Sequence, residues 1–263
     1  MTTMTAAGSG ETRQAAGDAP AVRLDHVTKA FDGRIVLDDV SFDVPRASGF
    51  VILGRSGTGK SVTLRHIIGL TRPDRGRVFV NGEEISALTG EALSRVRRQI
   101  GFLFQSGALF DSLSVGENVA FPLRRHTRMG EHEIHDRVIE KLGSVGLADD
   151  YGKMPAELSG GMRKRAGLAR AMALDPAILL VDEPSAGLDP ITSEEIDQLL
   201  LDLKAREGTT LIVVTHNIPS ARKLADELVM LHAGRIVARG TVADLEASGE
   251  PMVHAFMSSA HAG

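Results

Sequence analysis

Apolar and polar residues alternate along residues 21–47, in the runs AVRLDHVTKAF and IVLDDVSFDV. Alternation with a period of two predicts half-buried β-strands. The dipeptide Asp32-Gly33 separates the two runs, and Asp-Gly between alternating segments indicates a two-residue hairpin turn. The first part of the fold is therefore expected to be an antiparallel β subdomain.

The pattern changes from residue 50 onward, where short continuous apolar runs are each followed by a loop and a helical stretch. Such runs predict strands that are buried on both faces of a mostly parallel sheet covered by helices. They are FVILG (50–54), IGFLFQ (100–105), AILLVDEP (177–184) and TLIVVTH (210–216). The predicted fold class is therefore α/β, with a mostly parallel sheet as its core.

Residues 108–170 contain no apolar run of this kind. Within them Ile134, Val138, Leu142 and Val145 recur every three or four residues, which predicts an amphipathic helix. A mostly helical insert subdomain is thus expected between two parallel strands. Near the end of the chain, LVMLHAGRIVARG predicts a second hairpin that turns at Ala233-Gly234.

Composition narrows the classes of function. The chain has 263 residues, 43% of them hydrophobic, a net charge of −4 and no cysteine. The charge argues against a nucleic-acid partner, and the lack of cysteine excludes disulfides and thiolate metal sites. No apolar run approaches the roughly 18 residues of a membrane span. Residues 1–20 are small and polar, and we expect a disordered tail there instead of a secretory signal.

The sequence GRSGTGKS at residues 54–61 follows the first apolar strand and precedes the helical stretch VTLRHIIGL. It matches a phosphate-binding loop in its required context, because glycines let several backbone N–H groups face one anion at a helix N-terminus. Lys60 is expected to reach the β- and γ-phosphates of a nucleotide, and Ser61 to ligate Mg²⁺. The predicted nucleotide-binding residues here are Gly54, Arg55, Ser56, Gly57, Thr58, Gly59, Lys60, Ser61 and Val62.

Two carboxylates and a histidine are expected at the carboxyl edge of the same sheet, where α/β folds bind ligands. Asp182 is predicted to hold Mg²⁺ and Glu183 to polarise the water that attacks the γ-phosphate. Adjacent strand residues point to opposite faces, which would give the two carboxylates different roles. His216 follows another strand and is predicted to contact the γ-phosphate. The Asn-Lys-x-Asp motif of a GTPase is not found.

The motif LSGGMRKRAGLARAM at residues 158–172 predicts a second anion-binding helix N-terminus. Ser159 is suited to cap this helix, and Gly160 and Gly161 let its first amides approach an anion closely. The chain has only one lysine-bearing phosphate loop. The simplest explanation is a dimer, in which this helix end closes over ATP that is held by the other subunit.

The order of these motifs resembles the ATP-binding cassette (ABC) ATPase family over residues 21–245. The phosphate loop, Gln105, the Leu-Ser-Gly-Gly signature, the Asp-Glu pair, the run SAGLDP and His216 follow one another as in that family. The resemblance implies a P-loop NTPase (RecA-like) fold, with ATP and Mg²⁺ as ligands and with Lys60, Gln105, Glu183 and His216 as the catalytic residues.

Further roles follow only from this resemblance. Phe31 would stack on adenine, Gln105 would contact Mg²⁺ and the attacking water, and Asp189 would bridge the dimer interface. Ser159, Gly160 and Gly161 would contact the γ-phosphate in the other subunit. Met162, Ala186 and Asn217 depart from the family's commonest Gln, Ser and Asp, without removing a charge that hydrolysis needs.

The segment around Gln105, LFQSGALFDSLSVGENVAFPLRRHT, together with LSGGMRKRAGLARAMALDPAILLVDEPSAGLDPIT at residues 158–192, more specifically resembles the ATPase subunit of Mla-type phospholipid transporters. That resemblance implies a homodimer whose residues 105–123 receive a short helix of an integral-membrane permease. It also implies an MCE-domain lipid-binding protein, a small regulatory subunit and a position on the cytoplasmic face of the inner membrane. The transported lipid and the direction of transport do not follow from the sequence.

Three alternatives stay open at this point. The first is the ATPase of another importer or exporter. The second is a non-transport ABC protein, which typically has two cassettes or a long coiled-coil insertion, and this chain has neither. The third is a non-catalytic scaffold, against which the intact Lys60, Asp182, Glu183 and His216 argue.

Three weaker features have structural interpretations. His126, His132 and His135 favour a solvated helical face over a metal site. The basic run 163–165 is interpreted as surface residues that pair with acidic neighbours or with nucleotide. Residues 246–263 form a predicted C-terminal tail with an apolar cluster, expected to dock on its own subunit, on a neighbouring subunit or on a small regulator. The cluster comprises Met252, Val253, Phe256 and Met257.

Overall fold

The computed structural model describes residues 19–258, so most of the predicted N-terminal tail lies outside the described residues. Within them the chain alternates strands and helices. The strands are β1 (Val22–Phe31), β2 (Arg34–Val44), β3 (Gly49–Leu53), β4 (Arg75–Val80), β5 (Glu83–Glu84), β6 (Ile100–Leu103), β7 (Ile178–Asp182), β8 (Thr210–Thr215), β9 (Glu227–His232) and β10 (Arg235–Gly240). The α-helices are α1 (Lys60–Ile67), α2 (Gly90–Arg97), α3 (Val115–His126), α4 (Glu131–Ser144), α5 (Gly160–Ala171), α6 (Pro190–Glu207), α7 (Ile218–Leu224), α8 (Val242–Glu246) and α9 (Pro251–Ser258).

The strands form two sheets. The first is antiparallel, in the order β2-β1-β4-β5, and the second has the order β10-β9-β3-β8-β7-β6. In the second sheet β9, β3, β8, β7 and β6 pair in parallel, and only β10 is antiparallel. The predicted α/β class, with a mostly parallel core and an antiparallel β subdomain, is confirmed.

Both predicted hairpins are present, and each turns through left-handed backbone. Asp32 and Gly33 have φ of 48° and 77° between β1 and β2. Ala233 and Gly234 have φ of 46° and 80° between β9 and β10. Two successive positive φ values match a turn whose twist suits an antiparallel ribbon.

Residues 75–84 return to the first sheet, which the apolar pattern had not predicted. Strand β4 pairs with β1 and then, through Asn81-Gly82, with β5. Asn81 and Gly82 have φ of 50° and 83°, so the Asn-Gly dipeptide was the available hairpin signal. The run RVFV is too short to stand out by periodicity alone.

The six-stranded sheet is buried on both faces, as continuous apolar runs predict. Along β3, Val51 and Leu53 pack into one hydrophobic cluster, and Phe50 and Ile52 pack into the other. The first cluster also receives the buried sides of α3, α4 and α5, and the second joins the antiparallel sheet. The sheet is therefore a rigid platform whose carboxyl edge can hold a site.

The chain between β6 and β7 is helical, as predicted, although the subdomain limits at residues 108 and 170 stay a prediction. In α4, Ile134, Val138 and Leu142 are buried, and Val145 is the residue that ends the helix. None of the helices within residues 19–258 is both long and apolar enough to cross a membrane.

The described part of the C-terminal tail forms α9, which packs on its own subunit. Val253 and Met257 are fully buried in the first hydrophobic cluster, and Met252 and Phe256 pack against it. The sequence left three surfaces open for this apolar cluster: its own subunit, a neighbouring subunit or a small regulator. In the structure the cluster packs on its own subunit.

Candidate active site

The phosphate loop connects β3 to α1, which begins at Lys60. Gly57 and Gly59 have φ of 80° and 106°, and a Cβ on Gly59 would lie 2.9 Å from the carbonyl oxygen of Val36. Within residues 19–258, the amides of Gly57, Gly59, Lys60 and Ser61 donate to no protein acceptor. A curl of backbone donors at a helix N-terminus fits a polyphosphate.

Lys60 joins this loop to the end of β7. Its side chain is buried, and Nζ donates to the carbonyl oxygens of Gly54 and Arg55 at 2.8 and 3.2 Å. Nζ also lies 3.2 Å from Oε1 of Glu183. The ammonium is therefore held over the mouth of the loop, where a phosphate oxygen could replace the carbonyl acceptors.

Ser61 and Asp182 lie together, as predicted for a magnesium site. Ser61 Oγ donates to Oδ1 of Asp182 at 3.0 Å. Burial raises the pKa of Asp182, the Ser61 hydrogen bond lowers it, and the net shift is upward. A hydroxyl and a carboxylate suit Mg²⁺, which takes few protein ligands and completes its shell with phosphates and water. Accordingly, no group of three His, Cys, Asp or Glu within the described chain is arranged to hold a metal ion.

The Glu183 carboxylate accepts hydrogen bonds from residues at the carboxyl end of β8. Its Oε2 accepts from Thr215 Oγ1 at 3.1 Å and from the amide of His216 at 3.3 Å, and lies 3.0 Å from His216 Nδ1. Burial raises the pKa of Glu183, but the His216 hydrogen bond and the Lys60 charge outweigh burial, and the net shift is downward. The carboxylate is therefore ionised at neutral pH, as a proton acceptor must be.

The two carboxylates diverge for a reason other than strand alternation. Strand β7 ends at Asp182, and Glu183 has a left-handed φ of 48°. The backbone turn, and not the pleat, directs Glu183 toward Lys60 and His216. The expectation that both residues belong to one strand was wrong in this respect.

Gln105 lies two residues past the end of β6 and faces the Asp182 side of the site. With Arg65, Ser106, Asp182, Ala186 and Gly187 it lines a cavity of about 550 Å³. Its side chain is exposed and forms no hydrogen bond within residues 19–258. The structure thus places Gln105 and Asp182 in the lining of one cavity, while the predicted contacts of Gln105 with Mg²⁺ and water stay predictions.

The predicted trans residues do not contact the phosphate loop of their own chain. Ser159 caps α5 and accepts from the amide of Met162 at 3.2 Å. Gly161 packs on α6 so closely that a Cβ would lie 2.6 Å from Thr192 Cγ2. Asp189 caps α6. Among the described residues no hydrogen bond joins residues 159–161 or Asp189 to residues 54–61.

Phe31 stands at the end of β1 with 42% of its surface exposed. The Nζ atom of Lys29 lies 5.3 Å from its ring centroid. The exposed face of the ring is available for stacking, and its contact with adenine stays a prediction.

Lys164 was wrongly interpreted as a surface residue. Its side chain is buried, and its Nζ donates to the backbone carbonyls of Glu183, Pro184 and Ala186. Its neighbour Arg165 does pair with an acidic residue, Glu195, at 2.6 Å. A lysine inside a basic run gives no sequence signal of burial, so only the fold could reveal its position.

Of the three histidines, His132 and His135 lie on α4 with exposed side chains that face a carboxylate, whereas His126 is on α3. His132 and His135 lie 3.3 and 3.6 Å from Asp136 on α4. The His135 ring also packs at 5.2 Å from that of Tyr151. These contacts support the interpretation as a solvated helical face.

A second concave surface, which we call the aromatic groove, lies between β6, α2, α3 and α5. Its volume is about 540 Å³. Phe104, Phe110 and Phe121 are 39%, 44% and 47% exposed, and the last two rings are 4.9 Å apart. The groove includes these phenylalanines with Phe102, Pro122, Arg97, Arg98, His126 and Arg170, and its lining contains no Asp or Glu.

One buried amide shapes the loop along the groove. Asn118 Oδ1 accepts from the amide of Phe110 at 2.8 Å, and its Nδ2 faces the carbonyls of Phe110, Leu113 and Ser114. Leu113, although in the expected segment, is not a lining residue. Residues between 108 and 122 of the expected segment do contribute to the groove, whereas its basic side chains come from other parts of the chain, and docking there stays a prediction.

The sheet order, the phosphate loop and the paired Ser61 and Asp182 define a P-loop nucleoside triphosphatase. The family model described as "ABC transporter" matches residues 37–186. The chain therefore belongs to the ABC transporter family, and it is an ATP-hydrolysing enzyme.

Several known proteins are similar to this chain. The probable ribonucleotide transport ATP-binding protein mkl of Mycobacterium leprae is 45% identical over 92% of this chain and 70% of its own length. The intermembrane phospholipid transport system ATP-binding protein MlaF of Escherichia coli is 42% identical over 85% of this chain and 83% of its own length. The methionine import ATP-binding protein MetN of Rhodopseudomonas palustris is 41% identical over 89% of this chain and 67% of its own length.

Solved structures agree with the fold. The dimeric ATP-binding cassette MJ0796 in a post-hydrolysis state, bound to ADP and Pi, has a TM-score of 0.78 and 34% identity. That similarity covers 84% of this chain and 98% of that chain. A cbiO1 structure from Clostridium perfringens has a TM-score of 0.78 and 26% identity. The similarity covers 90% of this chain and 98% of the cbiO1 chain.

Proposed function

We propose that this chain is the ATPase subunit of an Mla-type transporter that moves phospholipid, and that it works as a homodimer with two composite ATP sites. The observation that carries the enzymatic part is the cluster at the carboxyl edge of the sheet, where Lys60 and His216 converge on Glu183. The similarity to a protein named for intermembrane phospholipid transport supports the substrate.

Each residue of the cluster has a distinct task in this proposal. The amides of residues 57–61 and the Lys60 ammonium bind the β- and γ-phosphates of ATP. Ser61 and Asp182 hold Mg²⁺, with Gln105 beside them, and the metal supplies positive charge that offsets the phosphates. Glu183 accepts the proton of the attacking water, and His216 orients the carboxylate through its 3.0 Å contact.

The second half of each ATP site comes from the other subunit. Ser159, Gly160 and Gly161 cap a helix whose N-terminus is free to meet an anion, and Ser159 and Asp189 are exposed. Their lack of contact with the phosphate loop of the same chain supports a role in trans. A dimer described for a solved relative of 34% identity supports the same arrangement.

The aromatic groove is the surface for the membrane partner in this proposal. Its floor is aromatic, and its basic residues are not balanced by carboxylates in the lining. Arg97 and Arg170 donate to backbone carbonyls and form no ion pair within residues 19–258. The occupant that fits is a short permease helix with apolar side chains and at least one carboxylate.

Gln105 links this groove to the nucleotide. It follows Phe104, which lines the groove, and itself lines the cavity that contains Asp182. Docking on the permease would place the subunit at the cytoplasmic face of the inner membrane. An MCE-domain protein and a small regulatory subunit complete the proposed assembly.

A transporter of another substrate is the second candidate. Relatives named for ribonucleotide transport and for methionine import share more than 40% of their residues with this chain over most of its length. The ATPase cluster is therefore compatible with several cargoes, which the membrane partner selects. Purification of the assembly from membranes, with identification of the permease and of bound lipid, separates the two candidates.

The Glu183→Gln variant tests the enzymatic proposal. We expect it to bind ATP, to hydrolyse about 10²- to 10⁴-fold more slowly and to form a stable dimer with Mg²⁺-ATP, because the proton acceptor is lost while the phosphate contacts remain. Steady-state hydrolysis and sedimentation measure these effects, and Glu140→Gln on the exposed face of α4 is the control. Hydrolysis at the parental rate would remove Glu183 as the base. A variant that stays monomeric with Mg²⁺-ATP, alone and in its assembly, would exclude the composite site.

A further inference from the structure

The buried Lys164 connects two parts of the site that serve different nucleotides. Its side chain is 5% exposed, and its Nζ lies 3.2, 2.5 and 2.9 Å from the carbonyl oxygens of Glu183, Pro184 and Ala186. An ammonium has three N–H donors and no acceptor, so three carbonyls satisfy it completely. Lysine is seldom buried without such partners.

The turn that receives this ammonium is strained and short of donors. Glu183 has left-handed backbone, and Pro184 has no amide hydrogen. The turn forms its own bonds from the amide of Ala186 to Glu183 and from that of Leu188 to Ser185, both at 3.2 Å. Lys164 supplies the remaining donors, and its charge offsets the repulsion of three carbonyl dipoles that face one point.

In the proposed dimer, α5 and the turn 183–186 serve different ATP sites. Lys164 is on α5, five residues after Ser159, whose helix end serves the ATP of the partner. The turn 183–186 begins with Glu183, which serves the ATP of its own subunit. It continues to Asp189 at the start of α6. A shift of α5 against the partner's ATP therefore moves the ammonium that fixes Glu183.

We propose that Lys164 is a positioning residue that couples the two ATP sites, by holding Glu183 in place according to the position of the signature helix α5. It touches no nucleotide in this scheme and acts only through the backbone of the turn 183–186. The inference rests on the proposed dimer and on Glu183 as the base.

Stability alone gives a poor explanation for a lysine at this position. Burial lowers the pKa of Lys164 to about 8, while the nearby Glu183 charge raises it. The protonated side chain is therefore less favourable in the folded protein than in the unfolded chain. A well-packed apolar residue at a buried charged position is often neutral or stabilising.

The test uses mixed dimers in which only one site can hydrolyse. One chain carries Glu183→Gln, the other has an intact Glu183, and the two are purified through different tags. Lys164→Met is then placed either in the chain with the intact Glu183 (cis) or in the chain with Glu183→Gln (trans). Phosphate release is measured in a single turnover with saturating Mg²⁺-ATP, and ATP affinity is measured separately.

We expect the cis placement to slow phosphate release about tenfold or more, because small displacements of a catalytic group are costly. The trans placement is expected to slow it no more than about twofold, and ATP affinity to change no more than about twofold. Lys141→Met is the matched control, since Lys141 is also a buried lysine, on α4, and pairs with Asp175 and Glu207. It is expected to show no difference between cis and trans.

The other outcomes decide against the inference. A loss that is larger in trans would make Lys164 a support for the signature helix only, and equal losses or no loss would make it a packing residue. If Lys164→Met does not fold, Lys164→Gln takes its place, because its amide keeps two donors and should slow the cis site about threefold. A parent mixed dimer that fails to form, or fails to release one phosphate, would contradict the proposed function instead.

Discussion

The nucleotide site and the aromatic groove lie on one subunit but satisfy their side chains in opposite ways. In the nucleotide site Lys60 and His216 both contact Glu183, and Ser61 donates to Asp182. In the aromatic groove Phe104, Phe110 and Phe121 stay 39–47% exposed, and Arg97 and Arg170 donate to backbone carbonyls. A small polar ligand can replace the hydrogen bonds within the nucleotide site by bonds to itself. An exposed apolar surface of this size is instead typical of a binding site for another protein.

This difference predicts how each region responds to substitution. Changes in the nucleotide site leave buried charges without partners, so they should affect chemistry and binding strongly. Changes in the groove should leave the isolated subunit active and affect only its assembly.

Lys60→Ala should weaken ATP binding by about 100-fold or more. The change removes a charge-assisted contact to the phosphates and leaves Glu183 buried without its ammonium partner. Binding of a fluorescent ATP analogue measures the effect. Lys153→Ala is the control, because Lys153 pairs with Asp150 on the surface. Unchanged ATP affinity in Lys60→Ala would contradict the assignment of the phosphate loop.

Much of the nucleotide site could be predicted from the sequence because its residues lie in short contiguous motifs. The glycines within residues 54–61 indicate the turn of the phosphate loop, and Asp182 and His216 each stand at the end of an apolar run that predicts a strand. The left-handed φ of Glu183 could not be predicted, because Glu is not a residue type that favours this conformation. The burial of Lys164 could not be predicted either, since it depends on contacts between α5 and a turn about 20 residues further along the chain. The same holds for β4, whose partner is β1.

Phe110→Asp and Phe121→Asp should each weaken docking of the permease by about 2–4 kcal/mol, or about 30- to 1,000-fold, with no loss of ATP binding. The two rings contact each other in the groove, so a carboxylate at either one places a charge in the apolar floor and exposes its neighbour. Co-purification from detergent-solubilised membranes measures docking.

Met129→Asp is the matched control for these two variants. Met129 is 42% exposed, a value close to those of the phenylalanines, and lies outside the groove lining. Full retention of the permease by both phenylalanine variants would show that the groove is not the docking surface. Equal loss in all three would point to a general effect of surface charge.

Asn118→Ala should lower the free energy of unfolding by about 1–3 kcal/mol and weaken docking as a consequence. The side chain is fully buried and bonds to the backbone of Phe110, Leu113 and Ser114, which would lose their partner. Thermal unfolding and co-purification measure the two effects, and Asn217→Ala, at the cap of α7 outside the groove, is the control for docking. A variant that is destabilised but docks normally would separate the loop conformation from partner binding.

Acidification should change the groove by a small amount through His126. Burial and then the charges of Arg98 and Arg125 lower the pKa of this imidazole below its ordinary value. The unfolded chain therefore binds the proton at a higher pH than the folded protein does, and stability falls as pH drops below about 6.5. In the folded protein His126 becomes protonated, and the groove gains positive charge, only when the pH falls to the lowered pKa of this imidazole.

Docking of a helix that carries a carboxylate should then strengthen by about twofold over that lower range, while the stability loss has already begun. Binding of the permease at several pH values, in parallel with thermal unfolding, separates the two windows. His126→Gln should remove the pH dependence of docking and reduce that of stability, of which the buried His66 keeps a part because burial lowers its pKa too. His132→Gln, on the exposed face of α4, should keep both dependences. Docking that weakens on acidification in the parent but not in His126→Gln would mean that the partner presents a positive charge to the groove, contrary to the carboxylate proposed from its basic lining.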